Sequence, residues 1–457
     1  MEPSLKPLPT IDKSNAQPIL KVLATQRSLL AGMGAMHKEL GDVFAITMPG
    51  FKPVVLAGPS SARELLVDNR DQFKWRVEND PVTRLLRHGV LVEDGDSHDI
   101  LRSYMQPALK RSEIERYLPE MLVCTDSVIS SWEDGSIKDM LVEMRKLALM
   151  VLMQTLFSVD IRPDLERLWE PILRILKFIS PGLWIVKPDM PRPGYQTAID
   201  TIDEYLYAII HQRRLKNSSN EDMLSDLLSR DDMDDDLVRD QMLTMLIAGH
   251  DTSTALLSWV LYLLSEHPQV MNAVQQEVDQ VLLGEEPDVD SIGRMHYLEQ
   301  VIKETLRLYP PIHAANRVAD SNTSLHGCPV DKGQRVMFSY YLTHRDAKTW
   351  EDPEHFDPDR FARDSSRKHV PLSYLPFGGG PRNCIGAAFA QSEAKIILAR
   401  ILQRIALEPV GKKIKIHMGA TLEPKPGVRL RISHRLKNRL SEPGKPAITS
   451  SKVDHQR

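Results

Sequence analysis

The sequence predicts a mostly α-helical protein with small β-sheets, an α+β fold. From about Ser60 to Ser265, apolar residues recur at three- and four-residue spacing, which is the period of a helix. Short β-rich runs flank this region, at residues 44–56 and again after Asn322. Together these patterns favour a long helical body with strands at its margins.

The N-terminal part predicts an arm followed by a hairpin. Residues 1–18 are polar and rich in proline, which is typical of a flexible arm. Residues 44–48 and 53–56 are apolar and β-rich, and Pro-Gly at 49–50 supplies a turn between them. We therefore expect a short β-hairpin before the helical body.

Two loops interrupt the helical body. Residues 180–194 contain four prolines, and residues 231–236 form an acidic run. A long apolar helix is expected from about residue 237 to 264. Strands dominate the part after Asn322, and the polar residues 441–457 predict a disordered tail.

Composition excludes several classes of protein. The 457-residue chain is 42% hydrophobic and 26% charged, with a net charge of −4 and a pI near 6.4, so it has no general attraction to nucleic acid. Three widely spaced cysteines suit a reducing cytoplasm better than a disulfide framework. The most apolar early stretch, residues 19–36, is broken by Lys21, Gln26 and Arg27, so no membrane anchor is expected.

The most informative segment is residues 377–386, Phe-Gly-Gly-Gly-Pro-Arg-Asn-Cys-Ile-Gly. Its glycines and proline predict a tight loop, and the apolar pattern from about Ala387 predicts a helix directly after Cys384. A helix N-terminus favours thiolate over thiol, so the sulfur can ligate a metal. Zinc and iron–sulfur sites need several ligands, whereas one thiolate is enough for haem iron. The alternative is a buried structural cysteine in a glycine-rich turn.

This segment resembles the haem-binding loop of the cytochrome P450 family at Phe377, Gly380, Arg382, Cys384 and Gly386. The resemblance implies a single catalytic domain over residues 19–440, with haem b buried between the long helix and the Cys loop. It also implies that Cys384 is the axial ligand. The implied activity is monooxygenation, in which one oxygen atom of O2 enters a C–H or C=C bond of the substrate.

A second match lies inside the long helix, at residues 248–252, Ala-Gly-His-Asp-Thr. Glycine in a helix interior costs about 1 kcal/mol relative to alanine, so Gly249 needs a reason. The resemblance implies that Ala248 and Gly249 open a groove for O2, and that Asp251 and Thr252 deliver protons to it. The alternative is a structural kink with a back-bonded threonine. His250 is expected to face solvent or to be satisfied in the core.

Two further groups of charged residues match the family. Glu304 and Arg307 share one helix face, and with Arg360 they resemble the buried ion-pair triad that holds the segment before the haem loop. Haem propionates need cationic partners. The residues that resemble these contacts are His98, Arg102, Arg317 and Arg382.

The positions that match substrate-contact regions are nearly all apolar. They predict a hydrophobic substrate such as a fatty acid, a terpene or a polyketide-like molecule. The apolar loop at residues 180–194 is either tucked onto the core or a mobile lid over the substrate channel. The candidate pocket residues are Val82, Leu85, Leu86, Met245, Leu246, Ile312, His313, Ala314, Ala315, Ala420, Thr421 and Leu422.

No reductase domain follows the Cys loop, so electrons are expected from a separate ferredoxin or flavodoxin with its reductase. A local basic patch of Lys74, Arg76, Lys110 and Arg111 is the expected docking surface. We expect a cytoplasmic monomer. The alternatives are a peroxygenase or isomerase of the same fold, which usually lacks the acid–alcohol pair, and a haem sensor, which needs no proton relay.

Overall fold

A computed structural model describes residues 6–48, 50–182, 192–216, 221–363, 369–411 and 413–435. It confirms the predicted fold class, mostly helical with small sheets. In the described residues the α-helices are α1 (Ala16–Gln26), α2 (Leu29–Leu40), α3 (Gly58–Arg63), α4 (Pro81–Leu86), α5 (Gly95–Met105), α6 (Ile114–Ser130), α7 (Met140–Phe157), α8 (Leu165–Ile179), α9 (Gln196–Lys216), α10 (Met223–Leu228), α11 (Asp235–Glu266), α12 (Pro268–Leu282), α13 (Val289–Arg294), α14 (His296–Leu308), α15 (Tyr340–Thr343) and α16 (Ala387–Arg404).

The strands form small sheets. One sheet has the order β1-β2-β8-β5-β3, another has the order β4-β12-β9, and β6-β7 and β10-β11 are two-stranded. The strands are β1 (Val43–Ala45), β2 (Val54–Leu56), β3 (Phe73–Lys74), β4 (Ile137–Asp139), β5 (Ala314–Ala319), β6 (Thr323–Leu325), β7 (Cys328–Val330), β8 (Arg335–Ser339), β9 (Ile405–Pro409), β10 (Lys415–Met418), β11 (Leu422–Lys425) and β12 (Arg429–His434).

The predicted long helix is α11, which runs through the core. Its 32 residues extend over about 48 Å. The Asp234 side chain accepts a hydrogen bond from Leu237 N at 2.8 Å and so caps the helix N-terminus. Residues around the whole circumference are buried, which is typical of a core helix rather than a surface helix. The adjacent α7 is buried in the same way, and the two pack against each other.

The predicted hairpin is confirmed, and the predicted start of the strand region is corrected. Strands β1 and β2 pair antiparallel with Val43 opposite Leu56, and β8 adds to β2 in parallel. The strand region begins with β5 at Ala314, before the expected position near Asn322. Pairing to β8 fixes β5 as a central strand, and a local pattern does not reveal such long-range pairing.

The described part of the N-terminal arm contacts the sheets. Lys6 N donates to Gly327 O at 2.8 Å, and Ala45 N donates to Pro9 O at 2.8 Å. Helix α1 begins at Ala16, inside the predicted arm. The predicted tail at 441–457 and the apolar residues 183–186 lie outside the described residues, and the boundaries of the single domain stay predictions.

Glu304, Arg307 and Arg360 meet in a completely buried cluster. Arg307 forms a two-pronged pair with Glu304, with Nε–Oε2 at 2.7 Å and Nη2–Oε1 at 2.8 Å. Arg360 Nε lies 3.3 Å from Glu304 Oε1. The side chains are 0%, 0% and 4% exposed, so the charges are compensated inside the protein and not by water.

The same guanidinium groups hold the irregular chain between α15 and the Cys loop. Arg307 donates to three backbone carbonyls and Arg360 to a fourth, at 2.7–3.1 Å; these belong to His344, Pro353, His355 and Asp352. The buried His344 ring in turn accepts a hydrogen bond from Leu375 N at 2.8 Å, directly before the Cys loop. A continuous set of hydrogen bonds therefore joins α14 to that loop.

A second buried contact joins α16 to α11. Ser253 Oγ and Glu393 Oε2 are 2.6 Å apart, and both residues are buried. Burial raises the pKa of Glu393 to about 7, while the Ser253 hydroxyl acts in the opposite direction. The acid therefore keeps its proton in the folded protein over a pH range in which it is ionised in the unfolded chain.

Replacing Glu304 by alanine should destabilise the protein by about 3–5 kcal/mol, because Arg307 and Arg360 would then be buried without their carboxylate. Chemical denaturation would measure the loss. Glu170→Ala is the control, since it breaks an ion pair with Arg174 in which the two side chains are 67% and 52% exposed, and it should cost at most about 1 kcal/mol. Equal losses in the two variants would contradict the anchoring role of the triad.

Glu393→Gln should change how the free energy of unfolding depends on pH. The Glu393 pKa is about 7 in the folded protein and returns to the ordinary glutamate value of 4.5 on unfolding. Unfolding of the wild type therefore releases a proton between these values, and its stability falls as pH rises through this range. Glutamine has no proton to lose, so the variant should gain roughly 3 kcal/mol relative to wild type between pH 4 and pH 8. A constant difference across this range would contradict the assignment.

Candidate functional site

The Cys loop is built by backbone contacts. Cys384 N donates to Phe377 O at 2.8 Å, and Asn383 N donates to Gly380 O at 3.1 Å. Gly380 has φ +68°, and a Cβ there would collide with the carbonyl oxygen of Leu66, so only glycine fits. Helix α16 begins at Ala387, which confirms the prediction of a helix directly after Cys384.

Cys384 is exposed, whereas Cys124 and Cys328 are buried. Yet the surrounding protein desolvates the thiol and raises its pKa, against the effects of Gly386 N–H and Arg102. The thiol is thus accessible at its surface although protein atoms surround it on other sides. The helix N-terminus alone therefore does not produce a thiolate. A bound metal cation would, because a coordinating thiol loses its proton.

Arg317 and Arg382 lie together near this loop. Their guanidinium carbons are 3.8 Å and 5.5 Å from the centre of the Trp75 ring. Arg382 Nη1 is buried and has no hydrogen-bond partner in the described part of the chain, although Nη2 contacts Asp94 Oδ1 at 3.2 Å. Burial lowers the pKa of Arg317 to about 9 and that of Arg382 to about 10.

His98 is the third base of this cluster. Its side chain is 6% exposed, and Nδ1 lies 2.8 Å from Asp99 Oδ1. Burial and the nearby Arg382 charge lower the pKa of His98. Buried bases with unmet donors suit two carboxylates in a largely dry site. The cluster of Trp75, His98, Arg317 and Arg382 therefore fits the propionates of haem.

Arg102 points elsewhere. Its guanidinium donates to Asn383 O at 2.8 Å and to Asn383 Oδ1 at 2.9 Å. These are contacts to the residue directly before Cys384, so Arg102 braces the Cys loop. Its expected contact with a propionate stays a prediction.

On α11, Asp251 is held by groups from two other elements. Its Oδ2 accepts a hydrogen bond from Thr421 Oγ1 at 2.9 Å, and Oδ1 lies 3.2 Å from Arg145 Nη2 of α7. Arg145 also pairs with Glu423 of β11. Asp251 is completely buried, and burial raises its pKa despite the Arg145 charge. The carboxyl group can therefore hold a proton near neutral pH more readily than an exposed aspartate.

Thr252 and Gly249 have separate explanations. Thr252 Oγ1 donates to Ala248 O at 2.7 Å, the back-bonded geometry that the sequence left open. A Cβ on Gly249 would collide with Leu152 of α7. Close packing of α7 against α11 gives this glycine a structural reason, and the oxygen groove at Ala248 and Gly249 stays a prediction.

His250 corrects an expectation. It is completely buried rather than facing solvent, and it is only half satisfied: Nδ1 contacts Leu246 O, but Nε2 has no partner in the described residues. Burial and the Arg145 charge lower its pKa to about 3, so the ring is neutral at physiological pH.

The candidate pocket residues fall into two groups. Most are buried and apolar, on α4, on α11 near Met245, in β5 and at the start of β11. Ile312 is 42% exposed, and His313 and Val82 are half-buried. Leu422 N donates to Pro311 O at 2.9 Å, which brings the turn before β11 against the segment before β5. The structure therefore brings this segment, the turn and Asp251 together.

Two of the four basic residues in the predicted patch form ion pairs with acidic residues, and the other two do not in the part of the chain that the structure describes. Lys74 pairs with Asp320 at 2.6 Å, and Arg76 pairs with Glu78 and Glu93 at 2.6 and 2.8 Å. Lys110 and Arg111 are exposed and have no ion pair within the described residues. Only these two basic residues of the predicted patch offer free positive charge.

Sequence reasoning missed Trp75, Arg145 and Glu423. Trp75 follows an unremarkable strand, and its role appears only when Arg317 and Arg382 arrive from distant segments. Arg145 is one of three charged residues in α7, beside Glu143 and Lys146, so the sequence alone did not indicate that it is buried against Asp251. Glu423 lies in β11 and its partner Arg145 on α7, and the sequence does not show that these distant residues pair.

Comparisons with known proteins agree with this geometry. The family model described as Cytochrome P450 matches residues 18–430. Cyclooctat-9-en-7-ol 5-monooxygenase of Streptomyces melanosporofaciens is 32% identical over 386 residues, covering 81% of this chain and 83% of the relative. Pentalenene oxygenase of Streptomyces avermitilis is 28% identical over 408 residues, covering 86% of this chain and 91% of the relative.

Solved structures with the same fold include retinoic acid-bound cyanobacterial CYP120A1, with a TM-score of 0.81 at 25% identity, covering 94% of this chain and 100% of that one. The cytochrome P450DA heme domain has a TM-score of 0.83 at 26% identity, covering 95% and 98%. None of the described helices is both long and apolar enough to cross a bilayer. The chain belongs to the cytochrome P450 family and is a P450 monooxygenase, for which the family implies a haem-thiolate cofactor.

Proposed function

We propose that this enzyme hydroxylates or epoxidises a hydrophobic terpenoid, with haem b held by Cys384 and electrons from a separate ferredoxin or flavodoxin with its reductase. The observation that carries the proposal is the pairing of two sites. The accessible but desolvated thiol of Cys384 lies directly before α16. The buried Asp251 lies beside Thr252 on α11. These two positions support iron ligation by Cys384 and proton delivery through Asp251 and Thr252.

Cys384 Sγ would ligate the iron, and Arg317, Arg382 and His98 would bind the propionates. When bound, the haem supplies the redox chemistry that activates O2, and the thiolate favours cleavage of the O–O bond. Trp75 stacks under both guanidinium groups and limits their movement. The cationic cluster thereby fixes the orientation of the cofactor.

Asp251 would hold the proton that Thr252 Oγ1 then positions. Burial keeps the Asp251 pKa raised, which brings it closer to the operating pH and makes proton transfer effective. Arg145 retains Glu423 as a second carboxylate partner. Asp251 can therefore change its protonation state without leaving a buried guanidinium unpaired.

The terpenoid class rests on the pocket and on the relatives. The candidate pocket positions are apolar apart from His313 and Thr421. The names of the two relatives give cyclooctat-9-en-7-ol and pentalenene as substrates, and CYP120A1 was solved with retinoic acid. All three are compact or extended hydrophobic molecules with few polar groups, which suits such a pocket.

Thr252→Ala should uncouple the reaction. Without the hydroxyl, two electrons from NADPH and two protons should reduce O2 to hydrogen peroxide, which leaves without oxidising the substrate. Product per NADPH should fall about 10-fold or more, since a positioned acid–base group contributes about 10²–10⁴-fold and water replaces part of it. NADPH, peroxide and product are measured together with surrogate redox partners. Thr252→Ser retains the hydroxyl and is the control. Unchanged coupling in the alanine variant would refute the relay.

Lys110→Glu should slow reduction by an acidic ferredoxin about five-fold at low salt, because complementary charge mainly raises the association rate. Stopped-flow reduction across a range of ionic strengths measures this. Lys38→Glu is the control, since Lys38 is equally exposed and unpaired within the described chain but lies on α2. Equal slowing in both variants would show an effect of net charge and no docking at Lys110.

A further inference from the structure

His313 is a polar side chain without a structural partner. It directly precedes β5, and its backbone carbonyl accepts a hydrogen bond from Tyr341 N at 3.1 Å, which holds the chain in place. The ring is half-buried, and Nδ1 is buried with no hydrogen-bond partner among the described residues. Most buried polar groups in folded proteins are hydrogen-bonded, so the unmet nitrogen of His313 calls for an explanation.

The strand geometry indicates what His313 faces. Side chains two residues apart point to the same side of an extended chain, so His313 shares a side with Arg317. Arg317 belongs to the cationic cluster beside the Cys loop, and His313 lies roughly 13 Å further along the chain. At that end, Pro311 O binds Leu422 N, next to the Thr421–Asp251 contact. The segment that carries His313 therefore connects the cationic cluster with the neighbourhood of Asp251.

The chemistry of the ring is well defined at neutral pH. Burial lowers the His313 pKa to about 4, and no charged neighbour contributes to the shift. The neutral imidazole has one donor and one acceptor. Its neighbours in the chain, Ile312 and Ala314, offer no side-chain polar group. An unmet buried polar group costs about 1–3 kcal/mol, a cost that a ligand with a matching polar atom would offset.

We propose that His313 binds an uncharged oxygen of the substrate, a hydroxyl or a carbonyl, and so selects an oxygenated terpenoid over the corresponding hydrocarbon. This inference rests on the proposed function and narrows its substrate class. A neutral ring accepts a hydrogen bond from an alcohol or donates one to a ketone, but it has no charge with which to favour a carboxylate. His313 is thus a specificity-determining residue and takes no part in the oxygen chemistry.

The test measures ligand binding to the haem-loaded enzyme. Binding is monitored through the spin-state shift of the haem absorption band. The probes are matched pairs, cedrol with α-cedrene and farnesol with β-farnesene. His313→Leu should weaken binding of each alcohol about 5- to 10-fold and leave each hydrocarbon unchanged or tighter, the size expected for one hydrogen bond. His313→Asn retains a donor and an acceptor and should restore part of the preference for the alcohol.

Ile312→Val is the control, because it alters the neighbouring apolar contact and should affect both members of a pair alike. A carbon-monoxide spectrum of each variant verifies that the haem site is intact. Equal losses for alcohol and hydrocarbon in His313→Leu would overturn the role of His313 and leave the terpenoid class standing. If no probe shifts the band of the wild-type enzyme, the terpenoid class itself falls, and this inference falls with it.

Discussion

The buried Glu304–Arg307–Arg360 triad is the constraint on which the rest of the site depends. The chain between α15 and the Cys loop has little regular structure, so its backbone carbonyls need other partners. The two guanidinium groups supply them, and Glu304 compensates the charge that this requires. Leu375 N donates a hydrogen bond to the His344 ring, so the restraint extends to the residue shortly before the Cys loop. The position of Cys384 relative to α14 is therefore set by hydrogen bonds rather than by packing alone.

The long helix α11 has to be apolar enough to pack in the core, and it also has to bury polar side chains. Its apolar circumference is what a core helix requires, yet it also buries His250, Asp251 and Ser253. Ser253 is satisfied by Glu393 of α16, whereas Asp251 is shared between Thr421 and Arg145. Ser253 and Asp251 therefore have their partners on other elements. The surroundings of Asp251 are consequently a property of the tertiary fold and not of the helix itself.

Local features were predictable from the sequence, and long-range pairings were not. The bounds of α11, the helix after Cys384 and the β1–β2 hairpin follow from period, glycine and turn chemistry, all of which act within a few residues. The packing of Gly249 against Leu152 was not predictable, because the two residues are about a hundred positions apart in the sequence. The compensation of Lys74 by Asp320 was invisible for the same reason, as was the Arg145–Glu423 pair. The triad was predicted from the family resemblance, because physical reasoning about the residues alone did not decide it.

The buried triad differs from Arg382 and His313 in how fully its polar atoms are hydrogen-bonded. In the triad, the donors are matched by a carboxylate and by carbonyls, so nothing is left for a ligand. Arg382 and His313 instead each have a buried nitrogen that no described residue satisfies. Such groups reduce the stability of the empty chain, and a ligand that matches them adds its binding energy to the stability of the fold. The same deficit thus selects the ligand and couples its binding to folding.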